Sequence, residues 1–378
     1  MQNKSSIVTY GFAIFIMFFG SGNLVFPLEI GLASGGNWLS AFFGLFITGI
    51  LLPLLGLFVI KIHKGSYEDF FAEAGSLAKV VLPLFILSLL GSFGVVPRCI
   101  TVAHGGIEHM MPSLSLAIFS FLFCVACFFM CLKDHLMVSM LGKWMTPVLL
   151  ASLALLIGVA VLNAPALEPV AIKKMTSFKF GFKTGYETMD LFAAFFFSSL
   201  IFKQMQSAMP ASTKHKELIM TALKSSFIGA LLLSLAYLGF VYLGAYYSGV
   251  IASVTPELIL PTIAMHVLGD KAALLIGVIF VLSCLTTAVA LSNIYARYLC
   301  SLMGLEGDRW FMVVLFITMV ASFFVSLLDF KGIAGFLGPI LDVSYPSLIA
   351  LTFMSTALRG MRWLKITVFY AVMVFMLV

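Results

Sequence analysis

The sequence predicts an all-α integral membrane protein of about eleven transmembrane helices, and three observations predict it. Hydrophobic residues make up 62% of the 378 residues and charged residues only 10%, an apolar excess that no soluble domain of this length could bury. Apolar runs close to the roughly 20 residues that cross a hydrocarbon core of about 30 Å follow one another along the chain. Short polar or charged segments separate those runs, as loops separate spans.

Taken in order, apolar spans are expected at about 6–31, 38–62, 79–103, 114–132 and 137–163. The first follows the polar segment Met1–Ser6 and runs on without a small-residue cleavage pattern, so it is expected to be a retained helix. Residues 164–182 then interrupt the series with Pro165, Pro169 and three lysines. Spans resume at about 184–209, 219–248, 271–303, 310–329, 337–358 and 363–378. The interruption divides the chain into 1–163, a first five-helix set, 164–358, a second five-helix set with its leading polar loop, and 359–378, an extra helix. That is the layout of transporters built from inverted five-helix repeats.

The net charge of +6 reflects Lys and Arg gathered in loops, where they fix orientation rather than bind nucleic acid. With the amino terminus in the cytoplasm, about fifteen of these residues fall inside and about six outside, Lys61, Lys64, Arg362 and Lys365 among the inner set. Lys173, Lys174, Lys179 and Lys183 go against the rule, sitting together in the outer loop between the two sets. The expected location is a multi-pass position in the cytoplasmic (inner) membrane, with the lipid bilayer as a partner.

Six cysteines, Cys99, Cys124, Cys127, Cys131, Cys284 and Cys300, lie in or beside apolar runs, which argues against a disulfide framework. Cys124, Cys127 and Cys131 share a helix face but lack a nearby His or carboxylate, so they are read as packing residues. His104 and His109 flank Glu108 beyond the third span and are read as a solvated loop. No phosphate-binding glycine motif, catalytic triad or zinc-protease helix is present, so the chain is not expected to be an enzyme or to hold an organic cofactor.

Within the first span, Phe18-Phe19-Gly20-Ser21-Gly22-Asn23-Leu24-Val25-Phe26-Pro27 places two glycines, Ser, Asn and Pro at mid-membrane depth. Glycine loosens the helix and Pro27 lacks an N–H, so a broken helix is expected. Backbone freed at that depth is tolerated only where it lines a cavity or binds a ligand, its half-helix amino terminus attracting a carboxylate and its carbonyls a cation. Close helix packing through small residues would explain Gly-x-Gly but not Asn23 followed by Pro27.

In the eighth span, Ser283, Thr286 and Thr287 recur at i, i+3 and i+4, on one helix face. Their oxygens suit a hard cation such as sodium, with the broken first helix as partner. Back-bonding to their own helix, or gluing of neighbours, explains the same spacing equally well. Glu29, Arg98 and Asp190 are ionisable residues in spans, where a charge at the centre costs about 2.5–3.5 kcal/mol on insertion scales. Arg98 and Asp190 either pair and line a pathway or snorkel to the outer interface.

Gly20-Ser21-Gly22-Asn23 with Phe26-Pro27, Val96-Pro97-Arg98, Gly185-Tyr186-Glu187-Thr188-Met189-Asp190, Thr287-Ala288-Val289 and Tyr345-Pro346-Ser347 together resemble the BrnQ-type branched-chain amino acid carriers, cation symporters within the LeuT-fold transporters. The resemblance runs through most of the chain. It implies a LeuT-like five-plus-five inverted repeat with one extra helix, and import of leucine, isoleucine or valine with Na+, or with H+ instead, by alternating access. It further implies a sodium site from the carbonyls of Ile16, Phe19 and Ser283 and the hydroxyls of Thr286 and Thr287. The substrate carboxylate would meet backbone N–H groups around Gly20, Ser21, Gly22 and Asn23. The amino group would face carbonyls of the first and sixth spans, with Asp190 as the preferred side chain for that contact or for coupling. The sixth helix would break near Phe197-Ser198-Ser199. Relative to the family the chain ends one helix early, which implies a variant scaffold. An uncoupled carrier of another small solute, a channel and a transporter-like sensor are the rival functions.

Overall fold

The structure is a computed structural model and describes residues 2–108, 110–132, 145–167, 172–208, 215–269, 272–358 and 360–377. Pro169, His109 and the start of the expected fifth span lie outside the described residues. Every regular element among them is helical. Six helical stretches are long and apolar enough to cross a membrane, and shorter apolar helices, among them Ile7–Phe18, Leu116–Cys131 and Thr146–Leu162, complete the bundle.

The first span is two helices, α1 (Gln2–Phe18) and α2 (Ser21–Ser34). α3 (Trp38–Phe46) passes through a π-turn at Ile47–Leu51 into α4 (Leu52–Ile62), and α5 (Tyr67–Phe71) turns the chain at that end. The expected third span is also divided, into α6 (Ala78–Leu90) and α7 (Val95–Glu108). Gly91 and Gly94 lie in the interruption, and Pro97 cannot donate to the carbonyl one turn before it, so continuous helical bonding is not available there. α8 (Leu116–Cys131) and α9 (Thr146–Leu162) follow.

The segment expected to be an outer loop instead holds the first half of a broken sixth helix: α10 (Lys174–Glu187) and α11 (Asp190–Ala208) meet at Thr188 and Met189. The break therefore lies about two turns before Phe197-Ser198-Ser199, which sit inside continuous α11. Met189 makes the turn at φ +59 without a glycine, held by its N–H to Tyr186 O (3.0 Å) and by complete burial. Lys174, Lys179 and Lys183 thus ride on a helix, and Lys183 Nζ reaches Asp342 Oδ2 at 2.8 Å.

The second set continues with α12 (His215–Tyr246), a short α13 (Ile259–Leu268), α14 (Ala272–Leu302), α15 (Asp308–Ser326), α16 (Asp329–Ala357) and α17 (Arg362–Leu377). α12 packs along α1 and α2, α10 on α3, α11 on α4, and α14 on α7. Two of these seams bring backbones into contact. A Cβ on Gly31 would stand 2.0 Å from Val241 O, one on Gly244 2.0 Å from Leu28 O, and one on Gly181 2.0 Å from Ala41 O. Small residues at such seams let dispersion act between whole backbones, which is the main attraction left to helices in lipid.

At the end of the bundle that holds the amino terminus, Glu73 ties three elements together. Its Oε1 accepts from Lys365 Nζ of α17 at 2.8 Å and lies 3.3 Å from His63 Nε2, and its Oε2 accepts from Ser355. Burial raises the Glu73 carboxyl, but the hydrogen bonds from His63, Lys365 and Ser355 hold it down to about 2. Burial likewise opposes charge on His63 and is the largest single influence, but the bond to Glu73, the bond to the Val59 carbonyl and the Glu73 charge together outweigh it and raise its pKa.

The cysteine face of α8 packs against α14 and α15. Cys124 Sγ donates to Met319 O, Cys127 Sγ to Ser292 Oγ and Cys131 Sγ to Val289 O.

Candidate functional site

The break in the first helix lies at Phe19-Gly20, inside the glycine cluster and ahead of Pro27, which is accommodated within α2. Gly20 is extended (φ −109, ψ −156), and its N–H turns back to Phe18 O at 2.8 Å. In a regular helix that N–H would serve Ile16 O, so the turn leaves the Ile16 carbonyl without its helical donor. The Phe19 carbonyl points out of the helix and accepts from Ser283 Oγ of α14.

The five residues expected to form a cation site are partly brought together. Ser283 reaches the break directly, and Thr286 Oγ1 donates back to Ser283 O at 2.8 Å, as helix-bonded hydroxyls do. Thr287 differs: its Oγ1 is buried without a hydrogen-bond partner among the described residues and lies 3.1 Å from the position a Gly20 Cβ would take. A buried orphan hydroxyl beside an unwound backbone fits an oxygen-lined cation site.

Both half-helix amino termini open onto one small cavity, lined among others by Phe18, Gly22, Asn23, Asp190, Phe197 and Thr287. Gly20 and Ser21 also line it. Ser198 does not, because its Oγ donates to Leu57 O at 2.8 Å and glues α11 to α4. Ser199 is buried away from the cavity lining. The cavity volume is about 10 Å³, room for about one water molecule, so the site is closed.

Asp190 is the first residue of α11 and is fully inside the bundle. Its Oδ2 accepts from Asn23 Nδ2 at 2.9 Å and from Tyr237 OH at 2.8 Å, and Asn23 Nδ2 also donates to Tyr237 OH. These bonds join α2, α11 and α12 across the two breaks. Tyr237 was not identifiable from sequence, since a tyrosine in an apolar span carries no motif. Tyr345, from the Tyr345-Pro346-Ser347 motif, braces the same break: its OH accepts the Leu191 N–H at 3.2 Å, at the start of α11.

Away from the amino-terminal end, a vestibule of about 450 Å³ is lined by Phe26, Glu29, Thr184, Glu187, Phe330 and Lys331, among others. Glu29 therefore faces this opening and not the closed cavity. Phe26 separates the two spaces. Its Cε2 lies 3.2 Å from where a Gly22 Cβ would stand, and its ring packs on Phe330 with centroids 5.8 Å apart. Arg98 does not snorkel. It is completely buried, with Nη1 donating to Glu187 O at 2.9 Å and Cζ 5.4 Å from the Phe26 ring centroid.

Residues 3–378 match the family described as branched-chain amino acid transport protein. The chain is 29% identical over 357 residues to the branched-chain amino acid permease BrnQ of Corynebacterium glutamicum, covering 94% of this chain and 81% of that one. It is 29% identical over 380 residues to BrnQ of Bacillus subtilis, covering 95% and 83%. A manganese transporter of Eremococcus coleocola superposes with a TM-score of 0.61 at 12% identity, over 99% of this chain and 85% of that one. A Na+-coupled sialic acid symporter, solved substrate-bound and outward-open, superposes with a TM-score of 0.58 at 11% identity, over 97% and 88%. At such identities the likeness is one of fold, the LeuT-like helical scaffold of membrane transporters.

Proposed function

The chain belongs to the family of branched-chain amino acid transport proteins, membrane transporters and not enzymes, and on that premise we propose that it imports leucine, isoleucine or valine in symport with Na+ by alternating access. The observation that carries the reading is the meeting of two half-helix amino termini, Ser21 and Asp190, at one closed cavity beside the orphan Thr287 hydroxyl. The N–H groups of Ser21, Gly22 and Asn23 have no intrahelical acceptor and carry the positive end of α2, which suits a carboxylate. Asp190 supplies the complementary charge for an ammonium group. Met17, Phe18, Ala193, Phe197 and Leu291 give the cavity an apolar side for a branched side chain.

Sodium would be held by carbonyl oxygens of Ile16, Phe19 and Ser283 and by the hydroxyls of Thr286 and Thr287. Binding there ties α1 to α14 at the break, so ion occupancy and the shape of the substrate cavity share the same backbone. Lysines and arginines favour a cytoplasmic amino terminus, which places the vestibule outside and the Glu73 cluster inside. The inverted five-helix repeats, 1–163 and 164–358, would supply the two moving halves, with 359–378 as an added helix. Proton coupling is a second reading and has its own observation: a buried carboxylate, Asp190, linked to Tyr237 and Asn23 between two helix breaks.

Uptake of labelled leucine, isoleucine and valine into proteoliposomes containing only this protein tests both readings. Accumulation driven by a sodium gradient supports the first. Accumulation driven by a proton gradient alone moves coupling to Asp190, and no uptake under either gradient by folded protein refutes the substrate assignment.

A further inference from the structure

The guanidinium of Arg98 is half used. Nη1 donates to Glu187 O at 2.9 Å, whereas Nε and Nη2 are buried with no hydrogen-bond partner among the described residues. Those two nitrogens form one edge of the planar group, with parallel N–H bonds spaced to meet the two oxygens of a carboxylate. Leaving a charged group's donors unpaired in a buried setting is expensive, so such an edge calls for a ligand.

Neither carboxylate in its neighbourhood makes a hydrogen bond to this edge among the described residues. Asp190 accepts from Asn23 and Tyr237. Glu187 offers Arg98 its backbone carbonyl, and its residue lines the outer vestibule. Arg98 also stands at the divide between the two spaces. The Phe26 ring touches the Gly22 position on one side and lies under the Arg98 guanidinium on the other, while the adjacent Cys99 Sγ contacts Ser21 Oγ at 3.6 Å.

We propose that the Nε–Nη2 edge of Arg98 is a docking subsite for the α-carboxylate of the transported amino acid, at the boundary between the vestibule and the closed cavity. The subsite rests on the amino acid transport reading and makes Arg98 the residue that selects amino acids over their uncharged analogues. Arg98 is buried behind Phe26 and lines neither space, so displacement of the Phe26 ring is what opens this edge to a carboxylate arriving from the vestibule. The carboxylate then passes to the N–H groups at the start of α2.

The test is competition against labelled leucine binding to the purified full-length protein, with unlabelled leucine and leucinamide, which lacks the carboxylate, as competitors. Wild-type protein should prefer leucine. In Arg98→Gln the leucine affinity should fall by at least about 10- to 100-fold, the loss of one or more charge-assisted hydrogen bonds, while leucinamide stays within about twofold. Arg98→Lys keeps the charge but not the paired edge. It should give the same selective loss in smaller measure, and it carries the test if Arg98→Gln does not fold. Equal weakening of both competitors, or discrimination undiminished in the variants, would overturn the subsite and leave the transport reading standing. No leucine binding by folded wild-type protein would overturn the transport reading itself.

Discussion

Replacing Thr287 with valine separates a cation ligand from a packing residue because the two roles predict opposite signs. The Thr287 hydroxyl is buried, 3.1 Å from the position of a Gly20 Cβ, and has no hydrogen-bond partner among the described residues. Valine keeps the shape and removes the hydroxyl. If Thr287 only packs, the change removes an unsatisfied polar group that costs about 1–3 kcal/mol, so stability rises or holds and sodium dependence is unmoved. If Thr287 ligates sodium, the site loses one ion–dipole contact of about 1.5–3 kcal/mol, and the sodium concentration for half-maximal leucine uptake rises about 10- to 100-fold. The assay is leucine uptake in proteoliposomes over a sodium series at constant ionic strength, paired with thermal unfolding of the purified variant in sodium-free buffer. Thr286→Val, whose hydroxyl bonds its own helix at 2.8 Å, should move the sodium curve less. A stabilised Thr287→Val protein with the wild-type sodium curve would refute the cation site.

Gly20→Ala should raise the sodium requirement in the same direction, because its Cβ would stand 2.9 Å from Thr287 Cγ2 and push that side chain from the break. The sodium series on the alanine variant checks it. Tyr237→Phe removes one donor from Asp190 and leaves a buried acceptor underused, so leucine affinity should fall by about 1–3 kcal/mol, measured by equilibrium binding. Gly31→Ala forces α2 away from α12, since its Cβ would stand 2.0 Å from Val241 O. The melting temperature should drop and transport should be lost together. At the end of the bundle that holds the amino terminus, the Glu73 carboxyl is raised by burial but lowered further by His63, Lys365 and Ser355. Its stabilisation is therefore complete above the ordinary value of 4.5 and is lost as pH falls toward about 2. Discounted for its partial exposure this amounts to about 1–2 kcal/mol, and Glu73→Gln should flatten the acid limb of a melting curve taken against pH. His63 has the opposite sign: its raised pKa gives stability that is present below its ordinary 6.5 and fades as pH rises through the folded value.

What the sequence disclosed and what it hid differ for a physical reason visible at the two helix breaks. The first break was legible because it is made by local chemistry. Gly20 and Gly22 favour it whatever surrounds them, and it falls at Phe19-Gly20, within that cluster. The second, at Thr188-Met189, is made by tertiary structure. Met189 occupies a left-handed conformation that costs an ordinary residue about 1–3 kcal/mol, so the flanking helices must impose it. They do so through the α10–α3 seam, where Gly181 fits against Ala41 O, through Tyr345 on the Leu191 N–H, and through Asn23 and Tyr237 on Asp190. None of these contacts leaves a local mark at residue 189.

The same cause displaced the expected break toward Phe197-Ser198-Ser199. The family resemblance placed the break there, but Ser198 is spent on Leu57 O as interhelical glue within a continuous helix. It also made an amphipathic, lysine-bearing half-helix look like a loop: four lysines at 173–183 mask a helix whose span is completed only across the break. In a bundle whose spans are uniformly apolar, the residues that define the site are those whose polar atoms have somewhere specific to go. Asp190, Tyr237 and Asn23 satisfy one another. The Thr287 hydroxyl and one edge of Arg98 remain buried without partners among the described residues, and the symport reading proposed above would give each of them a ligand.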